Sequence, residues 1–266
     1  MPGVPQVAVF DTAFHQTLPQ HAFRYAIPQE IYTEHQVRRF GFHGTSHEYV
    51  AKEAARAMKR ELSSLNLITL HLGNGASIAA ISGGRCVDTS MGMTPLEGLV
   101  MGTRCGDLDP AVVFFLQRET GMSGDELEAM LNSASGLKGL CGANDMRVVL
   151  DMAGAGDRNA RLALKMYCYR IKKYIGAYFA VLGEVDALVF TAGIGENAHD
   201  IRRIVCTDMQ HLGLAVDRKR NRQRIGSATE IQTERSPVKI WVIPTNEELE
   251  IAEQTYLAIS SRGETD

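Results

Sequence analysis

The run Ala187-Leu188-Val189-Phe190-Thr191-Ala192-Gly193-Ile194-Gly195-Glu196-Asn197 changes character halfway along. Ala187 to Phe190 is uniformly apolar, the pattern of a strand buried on both faces. Gly193 to Glu196 predicts a glycine-bearing turn, and from Asp200 onward Ile201, Ile204 and Val205 recur at helical spacing. Strand, glycine turn and helix in that order bring backbone N–H groups to a helix start, where phosphate oxygens are held. A tight turn with no ligand fits the same letters, because a lone glycine pair is a weak fingerprint.

On the C-terminal side, Lys239 to Ile243 reads as a strand stopped by Pro244, and Thr245 with Glu248 predicts a capped last helix carrying Leu249, Ile251, Ala252, Tyr256 and Leu257. The polar tail beyond Ser260 is expected to fray. Toward the N-terminus, Arg158 to Leu182 is the longest helical pattern, and Gly183 marks its stop. Leu162, Met166, Tyr169, Ile175 and Phe179 predict its buried stripe, and its length suggests a central packing or dimer helix. Further back, Ser123 with Glu126 has capping-box spacing ahead of Leu127, Met130 and Leu131, and Asp109-Pro110 starts a helix over Ala111 to Gln117.

Leu67 to Leu70, Ser77 to Ile81 and Arg85 to Val87 are short β-rich runs separated by glycine-containing turns, which predicts a meander. Thr45 with Glu48 predicts a further helix start; Tyr49, Val50, Ala54, Ala57 and Met58 would be buried, and Lys52, Glu53, Arg56 and Lys59 wet. Val7 to Phe10 is a strand candidate ending at Asp11. Strands partly in meander and partly joined by helices define an α/β protein with a mixed sheet flanked by helices.

Composition narrows the function classes. The 266 residues are 45% hydrophobic and 22% charged with a formal net charge of -3, ordinary for a soluble globular chain and unlike a nucleic-acid binder. Met1 to Gln6 has neither a basic nor an apolar leader region, and no run approaches the roughly 18 apolar residues of a membrane span, so a cytoplasmic location is expected. Five cysteines without a C-x-x-C pair read as reduced, mostly buried thiols.

Phosphoryl transfer needs backbone donors around phosphates, a magnesium ion held by oxygen ligands, and cationic or hydrogen-bonding groups on the transferring phosphoryl. In His71-Leu72-Gly73-Asn74-Gly75, two glycines after a strand let amides approach phosphate oxygens, although a simple hairpin turn explains Asn74-Gly75 equally well. Arg104 lies among small residues in Gly102-Thr103-Arg104-Cys105-Gly106-Asp107 and could reach a ligand; pairing with Asp107 or Asp109 is the alternative. His43 and His47 are spaced i, i+4, but no third ligand suggests zinc; they read as capping or core histidines that do not share a helical face. A G-x-x-x-x-G-K-[ST] sequence is absent, so a P-loop is not expected.

Taken in order, the strings Val9 to His15, Gly41 to His47, His71 to Gly75, Gly102 to Pro110, Gly193 to Asn197 and Pro244 to Glu248 closely resemble the acetate kinase family. The resemblance covers Val7 to about Ser260. It implies phosphoryl transfer between ATP and acetate, giving ADP and acetyl phosphate, with ATP/ADP as nucleotide, Mg2+ as cofactor and a homodimer. It also implies catalytic roles for Asp11, His43 and Arg104, a magnesium site at Glu247, and nucleotide contacts from three segments. These are His71, Leu72, Gly73, Asn74 and Gly75; Asp145, Met146 and Arg147; and Gly193, Ile194, Gly195, Glu196 and Asn197.

The implied fold is the two-domain architecture shared by sugar kinases, actin and heat-shock ATPase domains. Residues 1–14 would be a remnant strand of the first domain, 15–244 the second, nucleotide-binding and dimerising domain, and 245–266 a helix and tail belonging to the first. Family members are longer at the N-terminus, where they carry a phosphate loop with a metal-binding Asn and a nearby Ser, and an Arg that holds the carboxylate. With no counterparts here, the resemblance implies a truncated or split form with impaired activity alone, and a separate N-terminal half as a possible partner. Propionate or butyrate kinase, since one methylene is worth only about 1–3 kcal/mol, and a non-catalytic nucleotide-binding or dimerisation fragment are the alternatives.

Overall fold

The computed structural model describes residues 4–261, so the tail expected to fray lies, from residue 262, outside the described residues. The first helices are α1 (Gln20–Phe23), α2 (Gln29–His35) and α3 (Gly44–Met58). A meander follows, of β1 (Asn66–Leu72), β2 (Ala76–Ser82) and β3 (Arg85–Thr89). The helical middle of the chain is α4 (Pro110–Thr120), α5 (Gly124–Ser133), α6 (Gly136–Cys141), α7 (Met146–Gly154) and α8 (Arg158–Leu182). Then come β4 (Ala187–Thr191), α9 (Ala192–Asn197), α10 (His199–Cys206), α11 (Arg218–Asn221), β5 (Thr229–Glu230), β6 (Lys239–Val242) and α12 (Glu247–Ser260).

The strands form one mixed sheet in the order β3-β2-β1-β4-β6-β5. β1, β4 and β6 run parallel, while β2, β3 and β5 are antiparallel to their neighbours. The expected α/β architecture and the meander are both present. Because side chains alternate across a strand, Ile68, Leu70 and Leu72 of β1 join Tyr167, Ile171 and Ile175 of α8 in one core. On the opposite face Leu67 packs with Val50, Ala51 and Ala54 of α3. Full burial of a residue such as Ile171 or Ile175 contributes about 1.5–3 kcal/mol.

Thr69 and His71 share the α3 face with Leu67, so that face turns polar toward the carboxyl ends of β1 and β4. His71 lies level with Ser77 of β2 and with Thr191 of β4. The crevice beyond the carboxyl ends of parallel strands is the usual ligand position in open α/β sheets.

Several local expectations are corrected. Val7 to Phe10 is not a strand: it pairs with no strand among the described residues, and Phe10 is 68% exposed. α3 starts at Gly44 with His43 as N-cap, not with a Thr45 capping box; Glu48 pairs with Lys52 and Gln254 instead. On α8 the buried face is Ala160, Ala163, Leu164, Tyr167, Cys168, Ile171, Ile175 and Tyr178, whereas Leu162, Met166 and Tyr169 are exposed. This helix carries apolar residues on two faces, and the one with small residues sits against the sheet. Gly193 to Glu196 is part of the short helix α9 rather than a turn, because Ala192 at φ 63° makes the bend. Asn246, not Thr245, caps α12 by accepting from Leu249 N at 3.1 Å.

Other boundaries follow local chemistry as expected. Asp109 caps α4 at 2.9 Å from Ala111 N, with Pro110 at the first helical position. Ser123 and Glu126 complete a reciprocal capping box on α5. α12 packs on α3 through Lys52, whose Nζ meets the fully buried Glu250 carboxylate at 2.5 Å.

Candidate active site

The turn after β1 is closed by Gly73 N donating to Gly75 O at 2.9 Å and is tied to the next loop by Gly102 N donating to Asn74 O at 3.0 Å. A Cβ added at Gly75 would lie 3.4 Å from both Arg104 Nη1 and His43 Nε2. Both side chains therefore border the space beside this glycine, which a Cβ would occupy at van der Waals contact with each.

Arg104 donates to Pro95 O at 3.3 Å and has no carboxylate partner among the described residues. The pairing with Asp107 or Asp109 is not formed. Asp107 is taken by Arg170 at 3.4 Å and the Tyr174 hydroxyl at 2.9 Å, and Asp109 caps α4. A half-buried guanidinium is left with donors free for an anion.

His43 is held in the left-handed region at φ 57°, a conformation that costs a non-glycine residue energy and persists only where its surroundings enforce it. Here Asp11 enforces it: its carboxylate accepts from His43 N at 2.6 Å and its carbonyl from Gly44 N at 2.8 Å. Gly44 is obligatory, since a Cβ there would lie 2.3 Å from Asp11 O. The His43 ring stacks on His71 with centroids 4.1 Å apart and planes 16° apart. Burial lowers its pKa, opposed by Asp11 and reinforced by Arg104, so the ring is neutral near pH 7. Nδ1 meets Ser77 Oγ at 2.9 Å, and Nε2 has no hydrogen-bond partner among the described residues.

His47 reaches the same serine, with Nε2 2.7 Å from Ser77 Oγ and Nδ1 2.7 Å from Thr69 Oγ1. The two histidines differ in helical position as expected, yet they converge on one hydroxyl. His71 Nδ1 meets Ser46 Oγ at 2.8 Å, and Ser46 Oγ meets Thr245 Oγ1 at 2.8 Å. Burial first, then the proximity of His43, pushes His71 down to about 3.

A cavity of about 600 Å³ opens beside the turn, lined by Gly73 and Asn74, by Asn144 to Arg147 at the start of α7, and by Gly193, Ile194 and Asn197 of α9. The three nucleotide segments named from sequence thus meet there. Asp145 caps α7 through Arg147 N at 2.9 Å, and the Arg147 side chain beside it lowers its pKa to about 2. Not every residue of those segments faces the cavity. Leu72 is in the core, and Gly195 is on the buried side of α9, where a Cβ would be 3.4 Å from the Phe190 carbonyl carbon. Glu196 accepts from Thr245 N at 3.2 Å.

Glu247, first in α12, has its pKa raised by burial and by the negative charge of Asp11. The charge of Asp11 is thus felt at Glu247. Magnesium uses one or two carboxylates with waters and phosphate oxygens, and oxygen donors of that kind are what Asp11 and Glu247 offer. Among the described residues no group of three or more His, Cys, Asp or Glu forms a site built from protein alone.

Four residues escaped the sequence reading: Ser77, Thr69, Ser46 and Arg202. The first two are single polar letters in apolar strands, and strict alternation places both on one face with His71. Arg202, buried, donates at 2.8 Å to the carbonyls of Gly195 and Glu196 and anchors α9 to Asn221. Nothing in its amphipathic helix pattern marks it.

Together these features define an α/β protein with a polar crevice at strand ends, a glycine turn and a short glycine-bearing helix in place of a P-loop, and cation and imidazole bordering one point. Residues 1–253 match the acetokinase family, and the chain belongs to that family. It is 61% identical over 262 residues to acetate kinase of Syntrophobacter fumaroxidans, covering 98% of this chain and 64% of that protein. Acetate kinase of Sulfurovum sp. (strain NBC37-1) is 57% identical over 260 residues, covering 97% of this chain and 66% of that protein.

Among solved structures, acetate kinase of Porphyromonas gingivalis superposes with a TM-score of 0.94 at 47% identity, over 97% of this chain and 65% of that one. A propionate kinase from Francisella tularensis gives a TM-score of 0.89 at 47% identity, over 94% of this chain and 64% of that one. The chain therefore spans 64% of the first of these relatives. Among the described residues no helix is long and apolar enough to cross a membrane.

Proposed function

We propose that this polypeptide supplies the nucleotide-binding and phosphoryl-stabilising part of an acetate kinase. One observation carries the reading: Arg104 Nη1 and His43 Nε2 flank the same glycine turn, beside the cavity where the three expected nucleotide segments meet. In the proposed reaction an acetate oxygen attacks the γ-phosphorus of ATP, the bond to the β-phosphate oxygen breaks, and acetyl phosphate and ADP separate. A carboxylate is ionised at neutral pH, so no general base is required and the protein's task is positioning and charge neutralisation.

Arg104 would spread its donors over the equatorial phosphoryl oxygens and His43 would donate from Nε2. Asp11 and Glu247 would hold Mg2+, which neutralises charge on the phosphates when bound. Asp11 is better cast as an organiser than as a base, because one of its oxygens already accepts from the His43 amide.

The division at residues 14 and 244, with both ends belonging to a first domain, fits the exposed apolar residues Leu249, Ile251, Tyr256 and Leu257 on α12. A homodimer formed through residues 15–244 belongs to the same reading. The propionate kinase match at the same 47% identity supports a second reading in which a longer carboxylate is the acceptor.

Calorimetric titration and a hydroxamate assay on the purified chain test the proposal together. We expect MgATP to bind and acetyl phosphate to form little or not at all, with turnover appearing once a polypeptide carrying the rest of the relatives' length is added. Absence of nucleotide binding, or full turnover by the chain alone, would contradict it.

A further inference from the structure

We propose that Thr69, Ser77 and His47 form a relay that fixes the His43 tautomer, with the ring proton on Nε2 and facing the cleft. His47 is then a positioning residue. The meaning of that proton rests on the phosphoryl-transfer reading, whereas the relay itself rests on hydrogen-bond connectivity alone.

The chain of contacts runs from Thr69 Oγ1 to His47 Nδ1 at 2.7 Å, from His47 Nε2 to Ser77 Oγ at 2.7 Å, and from Ser77 Oγ to His43 Nδ1 at 2.9 Å. Each hydroxyl has one proton to donate and each neutral imidazole has one N–H. Only two consistent directions therefore exist. In the first, Thr69 donates to His47 Nδ1, His47 Nε2–H donates to Ser77, and Ser77 donates to His43 Nδ1, which leaves Nε2–H toward the cleft. In the second every donor reverses, and His43 presents a bare Nε2.

The deciding group is at the far end. Thr69 is fully buried, and its hydroxyl has no hydrogen-bond partner other than His47 among the described residues. Run backward, the chain makes Thr69 accept from His47 and leaves its own proton in the core without an acceptor, an arrangement disfavoured for any buried donor. Run forward, each proton between Thr69 and His43 Nδ1 has an acceptor, and the remaining His43 Nε2–H faces the cleft.

Neutral rings are required in either case. Burial first, then the proximity of His15, His71 and His43, holds His47 well below the ordinary histidine value. The backbone clamp from Asp11 and the stack on His71 already fix where the His43 ring lies. The relay adds which nitrogen carries the proton. His43 and Arg104 then both point donors at the space beside Gly75, which suits an anion's oxygen and rejects a cation.

Long-range 1H–15N correlation spectra of the folded, uniformly 15N-labelled chain at neutral pH test this directly, with rings assigned by single His→Gln variants. The expected result is protonated Nε2 and bare Nδ1 on both His43 and His47. Thr69→Val, nearly isosteric, should convert the single His43 tautomer into a mixture or reverse it, and Thr69→Ser should restore it. Circular dichroism melts verify that each variant is folded. A proton on Nδ1 of His43 in the unsubstituted chain overturns the proposal, as does a folded Thr69→Val chain with unchanged tautomers. The kinase reading fails separately: the expected tautomer together with an absence of MgATP binding would sink that reading and leave the relay standing.

Discussion

Arg104 is the side chain on which the proposed chemistry leans most heavily, because its guanidinium meets no carboxylate and faces the glycine turn. In an active assembly with the rest of the relatives' length, Arg104→Ala should lower kcat by about 100-fold or more, the scale of losing a transition-state donor; an unchanged kcat would reject the role. The histidine cluster makes a separate prediction about stability. His15, driven down to about 4, and His71, driven down to about 3, are both lowered chiefly by burial from an ordinary 6.5. A lowered folded pKa means that the unfolded chain binds protons first. Their stabilisation is thus complete above 6.5 and declines as pH falls through the window toward 4 and 3. Urea denaturation at about pH 5 should show a loss of about 2 kcal/mol from each relative to pH 7, and equal midpoints would contradict it. At this scale the recognisable strings singled out Asp11, His43 and Arg104, and the folded chain sets Asp11 against His43 and His43 with Arg104 beside Gly75. The sequence concealed Ser77 and Thr69, whose importance comes from facing His47 across two strands, a relation no linear spacing encodes.

Elements were legible where local chemistry is self-contained. The capping box at Ser123 and the Asp109-Pro110 start are complete within a few residues and appear as expected. Helix α8 has the expected bounds, and Ile175 and Phe179 of its expected stripe pack in the core, but at its N-terminal half the face bearing Ala160 and Ala163, not Leu162, Met166 and Tyr169, fits the sheet. The starts of α3 and α12 differ from expectation because other side chains, on the same helix and beyond it, claim the capping residues. Glu48 goes to Lys52 and Gln254, and Thr245 to Ser46. The contact between these helices depends on Lys52, which neutralises Glu250, a fully buried carboxylate whose Oε2 has no partner. Removing one member of a buried pair costs about 3–5 kcal/mol. Lys52→Met should therefore loosen α12 from α3, read as faster amide exchange across Glu247–Ser260 with β1 and β4 unaffected. Unchanged exchange there would show that the apolar contacts alone hold the helix.

For the whole molecule, one sheet with α3 on one face and α8 on the other brings together chain segments about 200 residues apart, with Ser46 Oγ 2.8 Å from Thr245 Oγ1. Composition and periodicity established the α/β class. The family strings pointed to the site, and only the folded chain shows Arg104 and His43 meeting at Gly75. A crystal structure of the chain with magnesium and a non-hydrolysable ATP analogue tests that convergence most directly. The account predicts the base in the cavity between α7 and α9 and the γ-phosphate oxygens within about 3 Å of Arg104 and His43 Nε2. A triphosphate bound elsewhere, or running away from that pair, would contradict it.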